Sequence, residues 1–339
     1  MRLVKAAAIL ILFAAIGVAE AAAEPYHLRI GWVIPGGDLV TLMFAKPGLA
    51  THAGESYVPD LLHFQGTASA MQALVIGDLD CVALAYSTFA LGIVHAGMTD
   101  LRAIGDEFQD GVPGYHTNTF VVRDDSPIRT VEDLKGKVVA SNERGSAADM
   151  AVRAMLAKNH LEDGRDLTII EARFADQKAL LKDKKVDLIT AVSPFGFDPE
   201  LRSFSRTLFR QVDAIGRSQM TVRVARQGFI AEHRAVMVDF MEDYLRTLRF
   251  VQDPSHRDET IALLTQVTKR DPSFYQGWVF TNRDYFRDPR ALPNLEALQA
   301  NIDLQKTLGF LRAQVEVDKY ADLSLVKEAA ERLDKKPGR

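Results

Sequence analysis

Residues 66–85 read GTASAMQALVIGDLDCVALA, and the order of elements in this stretch decides the fold class. Its first part predicts a helix that starts near Thr67 and ends at Gly77-Asp78, because glycine commonly closes a helix. The apolar run Cys81–Ala85 that follows predicts a buried strand. A helix that leads directly into a buried strand is typical of α/β folds with mainly parallel sheets.

Apolar runs of strand length recur on both sides of this stretch, each with a helix nearby. They predict strands at residues 28–34, 61–64, 137–140, 167–171 and 186–191. The C-terminal third differs, because its apolar residues recur at helical spacing with little strand between them. This spacing predicts helices at residues 235–251, 260–269, 295–309 and 323–333.

The N-terminus has the three parts of an export signal. Arg2 and Lys5 supply a positive region, residues 6–19 are uninterruptedly apolar, and an Ala-x-Ala cleavage site lies at residues 21–23. A membrane anchor needs roughly 20 apolar residues, so this stretch is too short to span a bilayer. We therefore expect residues 1–23 to be a signal peptide and the mature protein to be periplasmic.

The composition is that of a soluble globular protein of 339 residues, with 41 basic and 45 acidic side chains and a net charge of −4. The lack of a long basic run argues against a nucleic-acid partner. Cys81 is the only cysteine, so the chain forms no internal disulfide and relies on its cores. The eight histidines are scattered without ligand spacing, and we expect neither a metal nor another cofactor.

Five segments, the first of them within the stretch quoted above, carry a family resemblance. They are residues 66–80 (GTASAMQALVIGDLD), 125–128 with 132–140 (DSPI and EDLKGKVVA), 145–146 (GS, opening a helix), 185–189 (KVDLI) and 317–322 (VDKYAD). Each is weak alone, but their order and spacing make the set specific. Together they resemble the periplasmic solute-binding proteins of ABC transporters, of the nitrate/sulfonate/taurine and thiamine-precursor type, over nearly the whole chain after residue 23.

The resemblance implies an α/β fold of the two-lobed periplasmic binding protein type (type II), with the ligand cleft between lobes joined by two crossing strands. Lobe 1 is expected to be discontinuous, formed by residues 24–118 and 222–339, and lobe 2 to be the insertion 119–221. The expected connections are residues 119–122 and 221–224, whose β-branched side chains suit extended segments. Lobes joined in this way close around a ligand.

The resemblance also implies a monomer that captures one small-molecule ligand and hands it to the membrane permease of an ABC transporter. A binding protein that signals to a sensor kinase is an alternative that the sequence leaves open. Relatives that make the thiamine pyrimidine are cytosolic enzymes with a cysteine-rich segment, which this chain lacks. Since Gly-x-Ser-x-Gly, phosphate-loop and His-Glu-x-x-His motifs are also missing, we expect a binding protein rather than an enzyme.

Candidate ligand-binding residues lie where predicted strands end and helices begin, as ligands do in open α/β sheets. Helix N-termini there carry free N–H donors and partial positive charge, which favour anions. Small hydroxyl residues at these points are equally explained as helix caps, and Ser146 and Asp149 have capping-box spacing. The candidates are Trp32, Gly37, Asp38, Gln65, Gly66, Thr67, Tyr86, Ser87, Thr88, His116, Asn118, Arg144, Ser146 and Ser193.

Charged candidates make opposite predictions about the ligand. Arg144 is suited to a bidentate contact with a carboxylate or sulfonate. Asp38 and Glu143 would instead repel an anion and hold an amine or a ring N–H. We expect a sulfonate or carboxylate, because backbone donors at several helix starts act together. Trp32 is the leading candidate for an apolar wall, and His116 either contacts the ligand or pins the hinge.

Overall fold

The computed structural model describes residues 24–335, which form two five-stranded sheets with helices packed against them. The predicted signal peptide, residues 1–23, lies outside the described residues. The strands are β1 (Tyr26–Trp32), β2 (Tyr57–His63), β3 (Cys81–Ala85), β4 (Leu101–Asp110), β5 (Thr119–Arg123), β6 (Val138–Ser141), β7 (Thr168–Glu171), β8 (Leu188–Ala191), β9 (Ser205–Arg210) and β10 (Ser218–Arg226).

The helices of the described chain are α1 (Val40–Met43), α2 (Thr67–Ile76), α3 (Tyr86–Val94), α4 (Ala147–Lys158), α5 (Phe174–Lys182), α6 (Pro199–Phe204), α7 (Gln211–Ile215), α8 (Gln227–Glu232), α9 (Arg234–Gln252), α10 (Arg257–Thr268), α11 (Leu295–Thr307) and α12 (Ser324–Lys335). No helix between residues 24 and 335 combines the length and hydropathy that a bilayer-spanning segment requires. The predicted strand Cys81–Ala85 is confirmed as β3, and the four predicted C-terminal helices are confirmed as α9 to α12. Helix α2 ends as predicted, at Gly77, which has a left-handed φ of 83°.

The first sheet has the strand order β2-β1-β3-β10-β4, and the second has the order β7-β6-β8-β5-β9. The predicted α/β class is confirmed, but the sheets are mixed rather than mainly parallel. In the first sheet β10 runs antiparallel to both of its neighbours. In the second sheet β5 does the same. The chain enters β5 from the first sheet and enters β10 from the second sheet. Each of these two strands is therefore antiparallel to its neighbours.

The chain passes between the sheets twice, in residues 111–118 and in residues 211–217. Residues 119–122, expected to connect the lobes, pair within the second sheet as part of β5. Residues 221–224 likewise pair within the first sheet as part of β10. Below, lobe 1 means the first sheet with α1–α3 and α8–α12, and lobe 2 means the second sheet with α4–α7.

Helix α9 supplies much of the core of lobe 1. The apolar stripe that the sequence places on this helix is buried throughout, which agrees with core packing. Its residues are Met237, Phe240, Met241, Tyr244, Leu245 and Leu248.

The first sheet also buries an ion pair. Arg223 in β10 and Glu107 in β4 are hydrogen-bonded, and their side chains are 0% and 1% exposed. Glu107 also accepts the backbone N–H of Leu39 at 2.9 Å, and the Arg223 guanidinium lies 5.0 Å from the ring centre of Tyr244. Burial alone would lower the pKa of Arg223, but Glu107 and the other acidic groups around it together raise that pKa.

Candidate functional site

Two neighbouring cavities lie between the lobes, where strands end and helices begin. The main cavity encloses about 580 Å³ free of protein atoms, part of it open to solvent. The side cavity encloses about 430 Å³. Four residues of lobe 1 line both cavities, namely Ile34, Asp38, Phe108 and Tyr285. Ligands in open α/β sheets bind where strands end and helices begin, so these cavities are the candidate ligand site.

Lobe 2 contributes one wall of the main cavity through its strand-to-helix loops. The residues that form this wall are Asn142, Ser146, Ala147, Ala148, Phe174 and Val192. Ala83 and Ala85 of β3, together with Met220 of β10, face them from lobe 1. The walls are therefore mainly apolar, with a few polar groups that can orient a ligand.

The N-terminus of α4 supplies free donors to the main cavity. Ser146 caps this helix, because its hydroxyl accepts the N–H of Asp149 at 3.2 Å. The Asp149 carboxylate accepts the N–H of Gly145 at 2.8 Å. Ser146 and Asp149 therefore form the predicted capping pair, except that the second hydrogen bond comes from Gly145 instead of Ser146. Within residues 24–335, the N–H groups of Ala147 and Ala148 donate no hydrogen bond. Two backbone donors at the positive end of a helix are thus available to a ligand.

Two polar side chains join these donors. The Ser146 hydroxyl donates to Oδ1 of Asn142 at 2.7 Å, which leaves the Asn142 amide N–H groups for the cavity. Thr221 of β10 is 9% exposed, and its buried Oγ1 has no hydrogen-bond partner in the described chain. A buried hydroxyl without a partner is costly, so a ligand acceptor here would remove a penalty.

The N-terminus of α2 is occupied by the protein itself. The Glu143 carboxylate, from lobe 2, accepts the N–H of Ala68 at 3.0 Å and the hydroxyl of Ser69 at 3.1 Å. Gly66 permits this approach, because a Cβ at that position would collide with the same carboxylate. Glu143 therefore bridges the lobes at one end of the cleft and occupies part of the α2 start, whereas no side chain of the described chain occupies the first two N–H groups of α4.

An aromatic stack joins the lobes at the side cavity. The rings of Phe197 in lobe 2 and Trp278 in lobe 1 are 3.9 Å apart and 3° from parallel. The guanidinium of Arg202 covers the same Phe197 ring at 4.5 Å. The backbone N–H of Ser193 also donates to the Tyr285 hydroxyl at 3.0 Å. The cleft is therefore bridged by a carboxylate contact and by this aromatic contact.

Asp38 lies between the two cavities. One of its carboxylate oxygens accepts the N–H groups of Val33 at 3.1 Å and Ile34 at 2.7 Å. Burial, together with the nearby negative charge of Glu107, raises the pKa of Asp38 to about 7. Burial therefore favours the neutral, protonated form of this carboxyl.

Six sequence-predicted residues line the cavities. Gly66, Thr67 and Ser146 line the main cavity, Gly37 and Ser193 line the side cavity, and Asp38 lines both. Thr67 does not cap α2, since the cap position is Gly66 and no side chain bonds there.

The other eight predicted residues line neither cavity. Gln65 and Arg144 are exposed, and the Arg144 backbone N–H donates to Glu171 at 2.9 Å. Trp32 packs on His63 with ring centres 4.2 Å apart. Asn118 donates to Gln211 at 3.0 Å inside the connection between the lobes. The remaining four are Tyr86, Ser87 and Thr88, buried at the start of α3, and His116.

Several lining residues were not predicted, because no local motif marks them. Phe108 follows the polar residues of β4, and Thr221 was expected only as part of a hinge. Trp278, Tyr285 and Arg287 belong to the segment between α10 and α11, more than 200 residues from the loop after β1. The one available signal was the unusual density of aromatic residues in that segment.

His116 packs where the first connection meets both lobes. Its ring contacts Phe197 and Tyr285, and its buried Nε2 has no partner in the described chain. Burial lowers the pKa of His116 to about 4. The unfolded chain takes up a proton below pH 6.5 and the folded chain does not, so stability is lost as the pH falls from about 6.5 to 4.

We therefore expect the free energy of unfolding to fall by about 1–2 kcal/mol, because of His116, when the pH is lowered from 7.5 to 5. His116→Gln should remove this part of the pH dependence, and His95→Gln, at an exposed position, should keep it. Urea denaturation at the two pH values measures the difference. Identical pH profiles for the wild type and His116→Gln would contradict the assignment.

Cys81 is fully buried in β3. Burial raises the pKa of its thiol to about 11. A protonated, inaccessible thiol is a poor nucleophile. The only cysteine of the chain is therefore not suited to covalent chemistry.

A family model described as NMT1/THI5 like matches residues 65–256, more than half of the chain. No curated protein sequence matches the chain.

Solved structures with a similar fold include binding proteins and an enzyme. The alkanesulfonate-binding protein SsuA from Xanthomonas axonopodis pv. citri, bound to MOPS, is 21% identical with a TM-score of 0.69, covering 89% of this chain and 99% of that chain. The periplasmic nitrate-binding protein NrtA from Synechocystis PCC 6803 is 14% identical with a TM-score of 0.71, and the match covers 92% of this chain and 90% of that chain. The desulfurization enzyme DszB is 15% identical with a TM-score of 0.64, covering 91% and 99%. At these identities the likeness establishes the fold.

Proposed function

This chain belongs to the NMT1/THI5-like family, and from that premise we propose that it is a periplasmic solute-binding protein that captures a small organic anion between its lobes. It then delivers the anion to the membrane permease of an ABC transporter. The sulfonate-binding and nitrate-binding proteins of the same fold support an anionic ligand. The mainly apolar walls favour a sulfonate or carboxylate with a carbon skeleton over an inorganic ion.

The free N–H groups of Ala147 and Ala148 carry this proposal. They lie at the start of a 12-residue helix and line a largely apolar cavity, where an unmet donor is costly. An oxyanion placed there accepts both donors and interacts favourably with the helix dipole. The Asn142 amide and the Thr221 hydroxyl stand ready to complete its coordination.

Binding is favoured over catalysis, although an enzyme shares the fold. The thiol of Cys81 is buried and its pKa is raised, so it is a poor nucleophile. The polar groups of the main cavity are mostly neutral donors, which suit holding an anion.

Thermal denaturation with candidate ligands tests the function. The probes are alkanesulfonates, carboxylates and nitrate, with amines and alcohols of the same skeleton as controls. A ligand at 100 times its Kd stabilises the folded state by about 2.7 kcal/mol, so the melting temperature should rise with an acid and not with its alcohol. A response confined to amines or alcohols would contradict the proposal.

The variant Ala147→Pro then tests the site. Proline is well tolerated at the first position of a helix, and the extended Ser146, with ψ of 164°, suits the residue before a proline. The substitution removes one N–H donor, so the acid identified in the screen should bind about 10- to 100-fold more weakly, the loss expected for a hydrogen bond to a charged group. Calorimetry measures the affinity.

Two further variants complete this experiment. Ala147→Ser keeps the N–H group and should bind like the wild type. Arg144→Ala removes an exposed cation that lines neither cavity, so it too should change the affinity little. If Ala147→Pro binds normally and Arg144→Ala does not, the anion lies at Arg144, as the sequence alone suggested.

A further inference from the structure

The side cavity contains a buried cation with an incomplete set of hydrogen bonds. Of the described residues that line the two cavities, Arg287 is the only basic one. Arg287 is 5% exposed and lies in the segment between α10 and α11. Its guanidinium lies 4.8 Å from the ring centre of Phe280. A cation buried to this degree needs nearby acceptors, because it is largely removed from bulk water.

The acceptors around Arg287 are few and distant. A guanidinium has five N–H donors. Here one terminal nitrogen lies 3.4 Å from the Asp284 carboxylate, and the other lies 3.4 Å from the Gly37 carbonyl. The buried Nε has no partner in the described chain. Both contacts exceed the usual range for such bonds, so most of the donor capacity is unused.

Asp284 pairs with Arg287 at 3.4 Å and meets this need only in part, because its carboxylate also accepts neighbouring backbone N–H groups. Its oxygens accept the N–H of Phe280 at 3.0 Å and that of Tyr285 at 2.8 Å. The hydroxyl of Ser193 lies 3.4 Å away on the same carboxylate. The carboxylate is thereby fixed at the edge of the guanidinium. An oxyanion in the cavity can approach the remaining donors more closely.

We propose that Arg287 binds a second acidic group of the ligand in the side cavity, so that the ligand is a bifunctional organic acid spanning both cavities. This inference rests on the proposed function, which places the first acidic group at α4. The aromatic side chains of Tyr275 and Trp278 line the side cavity and suit the carbon atoms beside that group.

Asp38 lies along the path between the two groups and would repel them in its charged form. Since its pKa is raised to about 7, its neutral form is accessible near neutral pH. The neutral carboxyl can donate a hydrogen bond to the ligand. Asp38 is therefore compatible with a diacid.

Calorimetry with matched acids tests this inference. The probes are straight-chain dicarboxylates from succinate to suberate and terephthalate, each compared with the monocarboxylate of the same skeleton. For at least one skeleton we expect the diacid to bind at least 10-fold more tightly than the monoacid. Arg287→Met should reduce that ratio to near one and leave monoacid affinity unchanged. Arg287→Lys keeps the positive charge but loses the planar fork, so it should reduce the ratio only in part. The lysine variant serves as the test in case the methionine variant does not fold.

Two results would overturn the second acidic subsite and leave the proposed function intact. One is monoacid binding without a preference for any diacid. The other is an equal loss of monoacid and diacid affinity in both Arg287 variants, which would indicate a structural role. If none of these acids and no sulfonate binds, the proposed function itself fails.

Discussion

Replacing Arg223 with methionine should lower the free energy of unfolding by about 3–5 kcal/mol. The substitution leaves the Glu107 carboxylate in the core of lobe 1 without its partner, and both side chains are almost fully buried. An uncompensated buried charge costs more than the pair contributes when intact. Urea denaturation of the two proteins measures the difference.

A double variant separates the cost of the orphaned charge from the cost of lost packing. Arg223→Met with Glu107→Leu removes both charges at similar volume and should recover most of the lost stability. It still loses the hydrogen bond from Leu39 to Glu107, so recovery should be incomplete. If the free energy of unfolding of the Arg223 single variant lies within 1 kcal/mol of the wild-type value, Glu107 must be protonated or paired with another group in that variant.

The variant Phe120→Ala should have an effect of similar size on lobe 2. Phe120 is fully buried in β5 and stacks on Phe209 of β9, with ring centres 4.4 Å apart. Removing a buried phenylalanine side chain leaves a cavity and costs about 3–5 kcal/mol. Ile76→Ala, where the side chain is 72% exposed, should change stability by less than about 0.5 kcal/mol.

The two lobes can be followed by different signals in this experiment. Both tryptophans, Trp32 and Trp278, belong to lobe 1, whereas circular dichroism reports on both lobes. If the lobes unfold independently, Phe120→Ala will shift an early dichroism transition. Tryptophan fluorescence will report that transition only through Trp278, which stacks on Phe197 of lobe 2, and the main fluorescence transition will stay in place. If they unfold together, both signals will shift. No shift in either signal would contradict the burial of Phe120.

Strands were predictable where their residues are uniformly apolar. All five residues of β3 are buried, and its bounds follow from the sequence. Strand β4 was not predicted, because its sequence, LRAIGDEFQD, has neither alternation nor an apolar run. Its buried Asp106 and Glu107 are acceptable only because of distant partners, such as Arg223 and the backbone of Asp288. Tertiary contacts of this kind override local preference.

The same distinction applies to the candidate site. Ser146 was identifiable because a helix start has a local signature, and it lines the main cavity. Arg144 has the charge expected of a ligand contact, yet the fold exposes its side chain. Arg287 reaches the loop after β1 only through the packing of the C-terminal segment. Sequence separation of this length hides such a residue from any local pattern.

The position of β10 has a consequence for the order in which the molecule is assembled as it is synthesised. In the finished sheet β10 separates β3 from β4, so the first 110 residues cannot complete lobe 1. The strands of lobe 2 are contiguous in the chain and are available earlier. Until Arg226 has been made, β3 and β4 have open edges, which are prone to pair with other chains. The cleft itself needs the chain as far as Arg287, so binding competence arises only late in biosynthesis.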